Sequence, residues 1–120
     1  MKPVINSTRF GSINIEGDKY KYDTLIRLDG RVRKRKKKLS KQIYGTSHIL
    51  SLEEAMHVFE DGAAGLIYGT GQFGKAALSD EAADFFKQKG CQVEIYPTPQ
   101  AIIVWNEAQG DLIGLFHITC

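Results

Sequence analysis

The 120-residue sequence is poor in cysteine, the residue that stabilises many small proteins through disulfides or metal sites. Its two cysteines, Cys91 and Cys120, form no C-x-x-C pair, which argues against a disulfide framework or a cysteine-rich metal site. No apolar run approaches the ~20 residues that a membrane span requires, and the N-terminus lacks the apolar stretch of a signal peptide. With 42% hydrophobic residues, the sequence predicts one globular domain, located in the cytoplasm.

Acidic residues are absent from the segment 31–41, which holds half of the sixteen basic residues of the chain. We call this segment the basic strip, and its basic members are Arg31, Arg33, Lys34, Arg35, Lys36, Lys37, Lys38 and Lys41. The other eight basic residues and all fourteen acids leave the rest of the chain with six excess negative charges. Such a strip is typical of a solvated edge strand and loop whose lysines prevent edge-to-edge pairing. It could also contact an acidic partner, an anionic surface or nucleic acid.

Turn and periodicity signals divide the chain into an antiparallel N-terminal third and an alternating remainder. Alternating apolar residues predict strands over 12–22 and 25–28, and Asp29-Gly30 predicts a tight turn into the basic strip. From residue 51 the predicted order is helix, strand, helix, strand, helix, strand. The three helices are expected over 52–60, from 79 to 89 and from 98, its N-cap, to about 109. The sequence therefore predicts one α/β domain with a mixed central sheet, in which antiparallel N-terminal strands precede three helices alternating with parallel strands.

The first of these helices has a recognisable start. Ser51-Leu52-Glu53-Glu54 has the form of a capping box. In such a box Ser51 accepts a hydrogen bond from the Glu54 amide, and the Glu54 side chain reaches back to the Ser51 amide.

A glycine loop, Gly69-Thr70-Gly71-Gln72-Phe73-Gly74, follows a short apolar run and indicates a strand that opens into exposed backbone amides. Such amides can approach an anion closely because glycine has no side chain. In α/β sheets ligands bind beyond the carboxyl ends of the parallel strands. The loop, the turn 96–98 and the segment 117–120 should meet there, with the segment 44–48 nearby. The predicted pocket residues are Thr46, His48, Gly69, Thr70, Gly71, Gln72, Thr98, His117, Thr119 and Cys120.

Three more specific chemistries are weak in this sequence. The loop glycines fit G-x-G-x-x-G, but the next helix begins only near residue 79, so the third glycine lies outside it, unlike in a dinucleotide site. No H-x-x-x-H or H-E-x-x-H spacing occurs, and we predict neither a metal nor a cofactor. A Cys120 nucleophile with His48 or His117 as its base is chemically allowed. On a straight strand, however, the side chains of His117 and Cys120 would point to opposite faces, so a bend at residue 118 or 119 would be needed.

Five short motifs in one order resemble those of the small Mth-type domain family, which includes the adipogenesis-associated domain protein and a mitochondrial complex I assembly factor. These motifs are Arg9-Phe10-Gly11-Ser12, Tyr44-Gly45-Thr46-Ser47-His48, Gly69-Thr70-Gly71, Thr98-Pro99-Gln100-Ala101 and His117-Ile118-Thr119-Cys120. The resemblance implies a single compact α/β domain with a mixed sheet, found as a stand-alone protein or as a dimer. It implies a role in assembly or regulatory binding and no established reaction.

Three functions stay open at this point. The first is a non-enzymatic binding or assembly protein that recognises a protein partner, or a second copy of itself. The second is a protein that binds a small anion, or an enzyme, with a pocket built from the glycine loop, His48 and His117. The third, nucleic-acid binding through residues 31–41, ranks last because no aromatic residues alternate with the charges to stack on bases.

Overall fold

A five-stranded mixed sheet forms the centre of the computed structural model, which describes residues 2–120. The chain contains ten strands and four helices in this described part. In chain order they are β1 (Ile5–Arg9), β2 (Ser12–Ile15), β3 (Asp18–Tyr20), β4 (Thr24–Ile26), β5 (Val32–Lys34), α1 (Lys38–Tyr44), β6 (Ile49–Leu50), α2 (Leu52–Val58), β7 (Gly65–Thr70), β8 (Ala77–Leu78), α3 (Asp80–Gln88), β9 (Gln92–Tyr96), α4 (Thr98–Glu107) and β10 (Leu112–His117).

The sheet topology confirms the predicted mixed α/β fold. The central sheet has the order β5-β4-β10-β7-β9. The strands β10, β7 and β9 run parallel to one another, whereas β4 and β5 are antiparallel additions on the β10 side. The strands β1, β2 and β3 form a separate antiparallel sheet, and β6 and β8 form a short parallel pair.

Two hydrophobic cores lie on opposite faces of the central sheet. The strand β7 is buried along its whole length, and its alternate side chains serve the two faces. Leu66 and Tyr68 pack with residues of α2 and α3. Ile67 packs with α4 and with the separate sheet of β1 and β2, around Trp105. The Trp105 indole donates a hydrogen bond to the Pro3 carbonyl at 2.8 Å, so this large buried side chain also has its polar atom satisfied.

The helix α1 was not predicted, so the structure has four helices among residues 2–120 where the sequence predicted three. Its sequence has only Leu39 and Ile43 one turn apart as an apolar stripe, and no side chain caps its start at Lys37. A buried serine ties it to the following helix instead. Ser40 Oγ bonds to Glu54 Oε1 at 2.5 Å and accepts a hydrogen bond from the Ser51 amide at 2.9 Å. Tertiary contacts therefore hold a helix that local sequence does not specify.

Only half of the predicted capping box is present. Ser51 Oγ accepts from the Glu54 amide at 3.1 Å, as predicted. The Glu54 carboxylate does not reach back to the Ser51 amide and binds other residues, described below. The helices α2 and α4 end at Val58 and Glu107, two residues before their predicted ends. Thr98, predicted as an N-cap, is the first residue of α4, and the N-cap is Pro97.

The glycine loop fastens the segment 117–120 to the end of β7. The Gln72 amide donates to the Thr119 carbonyl at 2.7 Å, and the Lys75 amide donates to the Cys120 carbonyl at 3.2 Å. Gly71 packs directly against the Thr119 and Cys120 carbonyls. Its φ is +101°, and a Cβ atom placed on it would be 2.6 Å from the Cys120 oxygen. Only glycine fits such a close approach of two backbone segments.

Two buried side chains within residues 2–120 carry a polar atom without a hydrogen-bond partner, Thr24 Oγ1 and the Tyr68 hydroxyl. The Tyr68 hydroxyl is buried and has no hydrogen-bond partner among residues 2–120. Burial raises the pKa of Tyr68 well above its ordinary value. The hydroxyl therefore stays protonated, and its desolvation is not offset by a hydrogen bond.

We predict that Gly71→Ala lowers the free energy of unfolding more than Gly110→Ala does. Both glycines have a similar positive φ, +101° and +109°, but nothing lies within 4 Å of a Cβ atom at Gly110. Both variants strain the backbone by roughly 1–2 kcal/mol. Only Gly71→Ala also displaces the Thr119 and Cys120 carbonyls, which should add about 1–3 kcal/mol for two weakened hydrogen bonds. Urea titration measures the difference, and equal losses would contradict the close approach.

We predict that Tyr68→Phe does not lower the free energy of unfolding and raises it by up to about 1 kcal/mol, because it removes an unsatisfied buried hydroxyl. Tyr96→Phe is the control, since the Tyr96 hydroxyl donates to Glu94 Oε1 at 2.8 Å. That variant should lose stability slightly. Thermal unfolding of both variants checks the comparison, and a loss of more than about 1 kcal/mol in Tyr68→Phe would mean that its hydroxyl is bonded.

Candidate functional site

Arg35 differs from the rest of the basic strip because it is buried, whereas the other seven basic residues are exposed. Its Nε and Nη2 atoms bind the two oxygens of Glu54 at 2.6 and 3.0 Å. Its Nη1 atom binds Asp23 Oδ2 at 3.0 Å, and Nη2 also donates to the Ser47 carbonyl at 2.9 Å. All three guanidinium nitrogens are thus bonded inside the protein, and Arg35 is not part of the exposed basic surface.

Asp23 connects this arginine to the segment 117–120. Its Oδ2 atom lies 2.7 Å from His117 Nδ1, and its Oδ1 atom accepts from the Ile118 amide at 2.9 Å. Burial alone would raise the pKa of Asp23, but His117, the Ile118 amide and Arg35 outweigh that effect and hold the pKa below its ordinary value. The Asp23 carboxylate is therefore ionised, and both of its oxygens are occupied.

Two histidines lie next to this network. His117 is 3% exposed, and the tautomer with a proton on Nδ1 donates to Asp23 while Nε2 accepts from the Thr119 hydroxyl at 3.2 Å. The His48 ring packs edge to face against it, with ring centroids 5.3 Å apart. Thr46 Oγ1 accepts from the His48 amide at 3.1 Å and fixes the turn that presents this ring. The structure thus brings together the two histidines that the sequence only placed at one edge of the sheet.

A cavity of about 330 Å³ opens over the histidines. Asp23 also lines it, but with both oxygens occupied by protein donors. Three exposed lysines border the cavity, Lys21 from the turn before β4 and two from the basic strip. We call this site the histidine cleft. Besides Tyr22, Asp23 and Ser47, its polar residues are Lys21, Lys34, Lys37, His48, His117 and Thr119.

The other predicted pocket residues lie behind the segment 117–120 and support it. Thr98 Oγ1 donates to the His117 carbonyl at 2.6 Å and accepts from the Gly71 amide at 2.9 Å. Gly69 lets Thr98 approach, because a Cβ atom there would lie 2.9 Å from its hydroxyl. The side chains of Thr70 and Gln72 also bind protein groups. Thr70 Oγ1 donates to the Tyr96 carbonyl, and Gln72 Nε2 donates to Thr8 Oγ1. Within the glycine loop, the amides of Gly71 and Gln72 bind protein acceptors, Thr98 Oγ1 and the Thr119 carbonyl.

Cys120 contacts His48 and not His117. Its Sγ atom lies 3.9 Å from His48 Nε2, a weak sulfur contact. A cysteine nucleophile needs a base that a third group orients. Here the only carboxylate in hydrogen-bond contact with either imidazole among residues 2–120 belongs to Asp23, and it orients His117. The thiol of Cys120 thus contacts the imidazole of His48, whereas the carboxylate orients the imidazole of His117.

Sequence reasoning missed Lys21, Asp23 and Glu54. One signal was available for Asp23, because it and Arg35 are each six residues from Asp29 in the predicted tight turn. A hairpin about that turn sets them opposite each other, and the Arg35 amide does donate to the Asp23 carbonyl at 2.9 Å. No local pattern links Lys21 or Glu54 to the strip.

Two further features concern metals and membranes. Across residues 2–120, no group of three or more histidine, cysteine, aspartate or glutamate side chains is arranged to hold a metal ion. Within the same range, no helix is long and apolar enough to cross a membrane.

The chain is similar to several proteins of known structure. A conserved hypothetical protein from Pyrococcus horikoshii OT3 is 31% identical, with a TM-score of 0.91 over 100% of both chains. The structure named MT938 is 29% identical, with a TM-score of 0.84 over 99% of this chain and 100% of its own. A Bordetella pertussis protein described as a Mth938-like domain is 16% identical, with a TM-score of 0.64 over 96% and 85% of the two chains, and shows the fold alone. No curated protein matches the chain.

A family model described as a protein of unknown function, DUF498/DUF598, matches residues 5–111. This match spans most of the sequence, and the resemblance to the Mth-type domain predicted from five motifs agrees with the structural neighbours. The chain therefore belongs to the DUF498/DUF598 family.

Proposed function

We propose that this protein is a non-enzymatic binding protein that holds a small molecule with phosphate or carboxylate groups in the histidine cleft. The observation that carries the proposal is the set of three lysines around a cavity of about 330 Å³ with two histidines and a threonine hydroxyl. This volume falls at the small end of the range for ligand pockets, roughly 300–1,000 Å³. Lysine ammonium groups are point charges that suit phosphate and carboxylate oxygens.

The electrostatics of the cleft favour an anion although Asp23 lies beside it. Both oxygens of that carboxylate are bound by protein donors, and Arg35, which Asp23 shares with Glu54, offsets part of its charge. By contrast, Lys21, Lys34 and Lys37 form no ion pair among residues 2–120. The charge presented to a ligand is therefore positive, and a ligand anion would complete contacts that the protein leaves open.

The arrangement supports binding over catalysis. The oriented imidazole of His117 has its Nδ1 atom held by Asp23 and its Nε2 atom engaged by Thr119. The thiol of Cys120 faces the other imidazole, which lacks an orienting carboxylate. A cysteine enzyme needs these parts in one chain of contacts. In the proposal, His48 is a recognition group, His117 forms part of the wall of the cleft, Cys120 borders the site, and the glycine loop and Thr98 hold the segment 117–120 in place.

We predict that Lys21→Gln/Lys37→Gln weakens binding of a small anion by about tenfold or more, since each lysine would supply a charge-assisted contact. Isothermal titration calorimetry with inorganic phosphate and, separately, citrate measures the effect and distinguishes phosphate from carboxylate preference. Lys38→Gln/Lys41→Gln is the matched control, because it removes the same charge from exposed positions of α1 outside the cleft.

The control double variant should change affinity less than about twofold. Nitrogen resonances of the His48 and His117 rings should also move during the titration. Equal weakening in both double variants would show general attraction to the basic strip. Absence of binding of both anions to the unmodified protein would overturn the proposal.

A further inference from the structure

The strand β5 forms one end of the central sheet, and its outer edge is open. Its only neighbour among residues 2–120 is β4. We infer that this edge binds an acidic, extended segment of a partner protein, which pairs with β5 as an additional strand. This inference goes beyond the proposed function, because Arg33 and Lys36 line a different cavity and only Lys34 is shared with the histidine cleft.

The backbone of β5 offers the hydrogen-bonding groups that strand addition requires. The Arg35 amide donates to Asp23 on the β4 side, and the Arg31 carbonyl accepts from the Arg27 amide, both at 2.9 Å. Because successive residues of a strand alternate in direction, the N–H and C=O groups of Val32 and Lys34 point away from β4. Within residues 2–120 these outward groups form one hydrogen bond, which the Arg33 side chain donates to the Val32 carbonyl at 3.2 Å.

Cations surround this open edge. Arg33, Lys34 and Lys36 are exposed and form no ion pair within residues 2–120. They border a groove of about 570 Å³ between β5 and the end of α2, whose walls include Leu25 and His57. Strand addition takes affinity from backbone hydrogen bonds and specificity from alternate side chains. An incoming strand with carboxylates at alternate positions would place them against these cations.

Charge selects this occupant over two others. A second copy of the chain would bring its own arginine and lysine side chains against the same cations, and like charges across strands destabilise pairing. A single strand of nucleic acid gains affinity from aromatic rings on which its bases stack, and no tyrosine, phenylalanine or tryptophan among residues 2–120 lines the groove. Tyr22 lies under the Lys34 ammonium, 5.5 Å from nitrogen to ring centroid, and borders the histidine cleft instead.

The test uses the full chain and a labelled ten-residue peptide of alternating glutamate and threonine, with binding followed by fluorescence anisotropy. We expect Arg33→Gln/Lys36→Gln to weaken binding by about tenfold or more. Lys38→Gln/Lys41→Gln removes the same charge outside the groove and should change affinity less than about twofold. In the complex, hydrogen exchange at the amides of Val32 and Lys34 should slow.

Two further measurements separate strand pairing from charge attraction. Val32→Pro removes an outward N–H and leaves the bonds to β4 intact, because proline is tolerated on an edge strand. It should weaken peptide binding about tenfold, as should methylation of alternate backbone nitrogens in the peptide. Unchanged affinity in both cases would overturn the inference, as would no peptide binding at low salt. Tighter binding of a single-stranded DNA decamer, with a steep salt dependence, would overturn it in favour of nucleic acid.

Discussion

The buried guanidinium of Arg35 is the interaction on which the rest of this structure depends. Burial of a charge costs several kcal/mol, and only partners with good geometry offset that cost. Here two carboxylates and a backbone carbonyl surround one guanidinium, and the paired Glu54 side chain is itself 0% exposed. Through these contacts, one residue fixes the start of β4, the helix α2 and the turn at Ser47. Loss of one partner would leave an uncompensated buried charge, which typically costs about 3–5 kcal/mol.

The same network also positions the histidine cleft, while its charged groups are bound to other protein groups. Asp23 holds His117 and the Ile118 amide on one side and Arg35 on the other. The two carboxylates of the network share one guanidinium and keep one excess negative charge, which the three unpaired lysines at the cavity outweigh. A carboxylate beside an imidazole is often interpreted as part of a catalytic device. In this protein it also accepts from the Ile118 amide and so anchors the segment 117–120, and in the proposed function the ligand contacts come from the lysines around the cavity.

The predictable part of the fold is the part that local sequence specifies. The helices α2 and α3 begin at serines that accept the expected amide hydrogen bonds, and apolar runs mark the strands between the helices. The parallel order followed from crossover geometry. By contrast, α1 has a weak apolar stripe and no capping side chain, and it depends on Ser40 binding Glu54 and Ser51. No single-sequence pattern reports such a long-range contact.

The candidate site divides in the same way. The sequence analysis placed His48 and His117 near one edge of the sheet, because the segment 117–120 ends the last predicted strand and the segment 44–48 leads into the first predicted helix. It could not predict that the amides of Gln72 and Lys75 bind the carbonyls of Thr119 and Cys120, since this depends on the path of the chain after β10. Neighbouring cations of the basic strip also lie in different environments. Arg35 turned inward while the flanking lysines stayed in solvent, a distinction that composition alone conceals.

The open cationic edge at β5 also gives the domain a permanent electrical polarity. At the opposite end of the sheet, β9 carries no basic residue, and the adjoining α3 begins with exposed Asp80, Glu81 and Asp84. Four strand spacings separate β5 from β9, about 19 Å, more than twice the screening length of about 8 Å at physiological salt. The acidic residues near β9 therefore do not cancel the attraction of a polyanion to the cationic edge at β5. Diffusional encounters would be steered into one orientation before any contact forms.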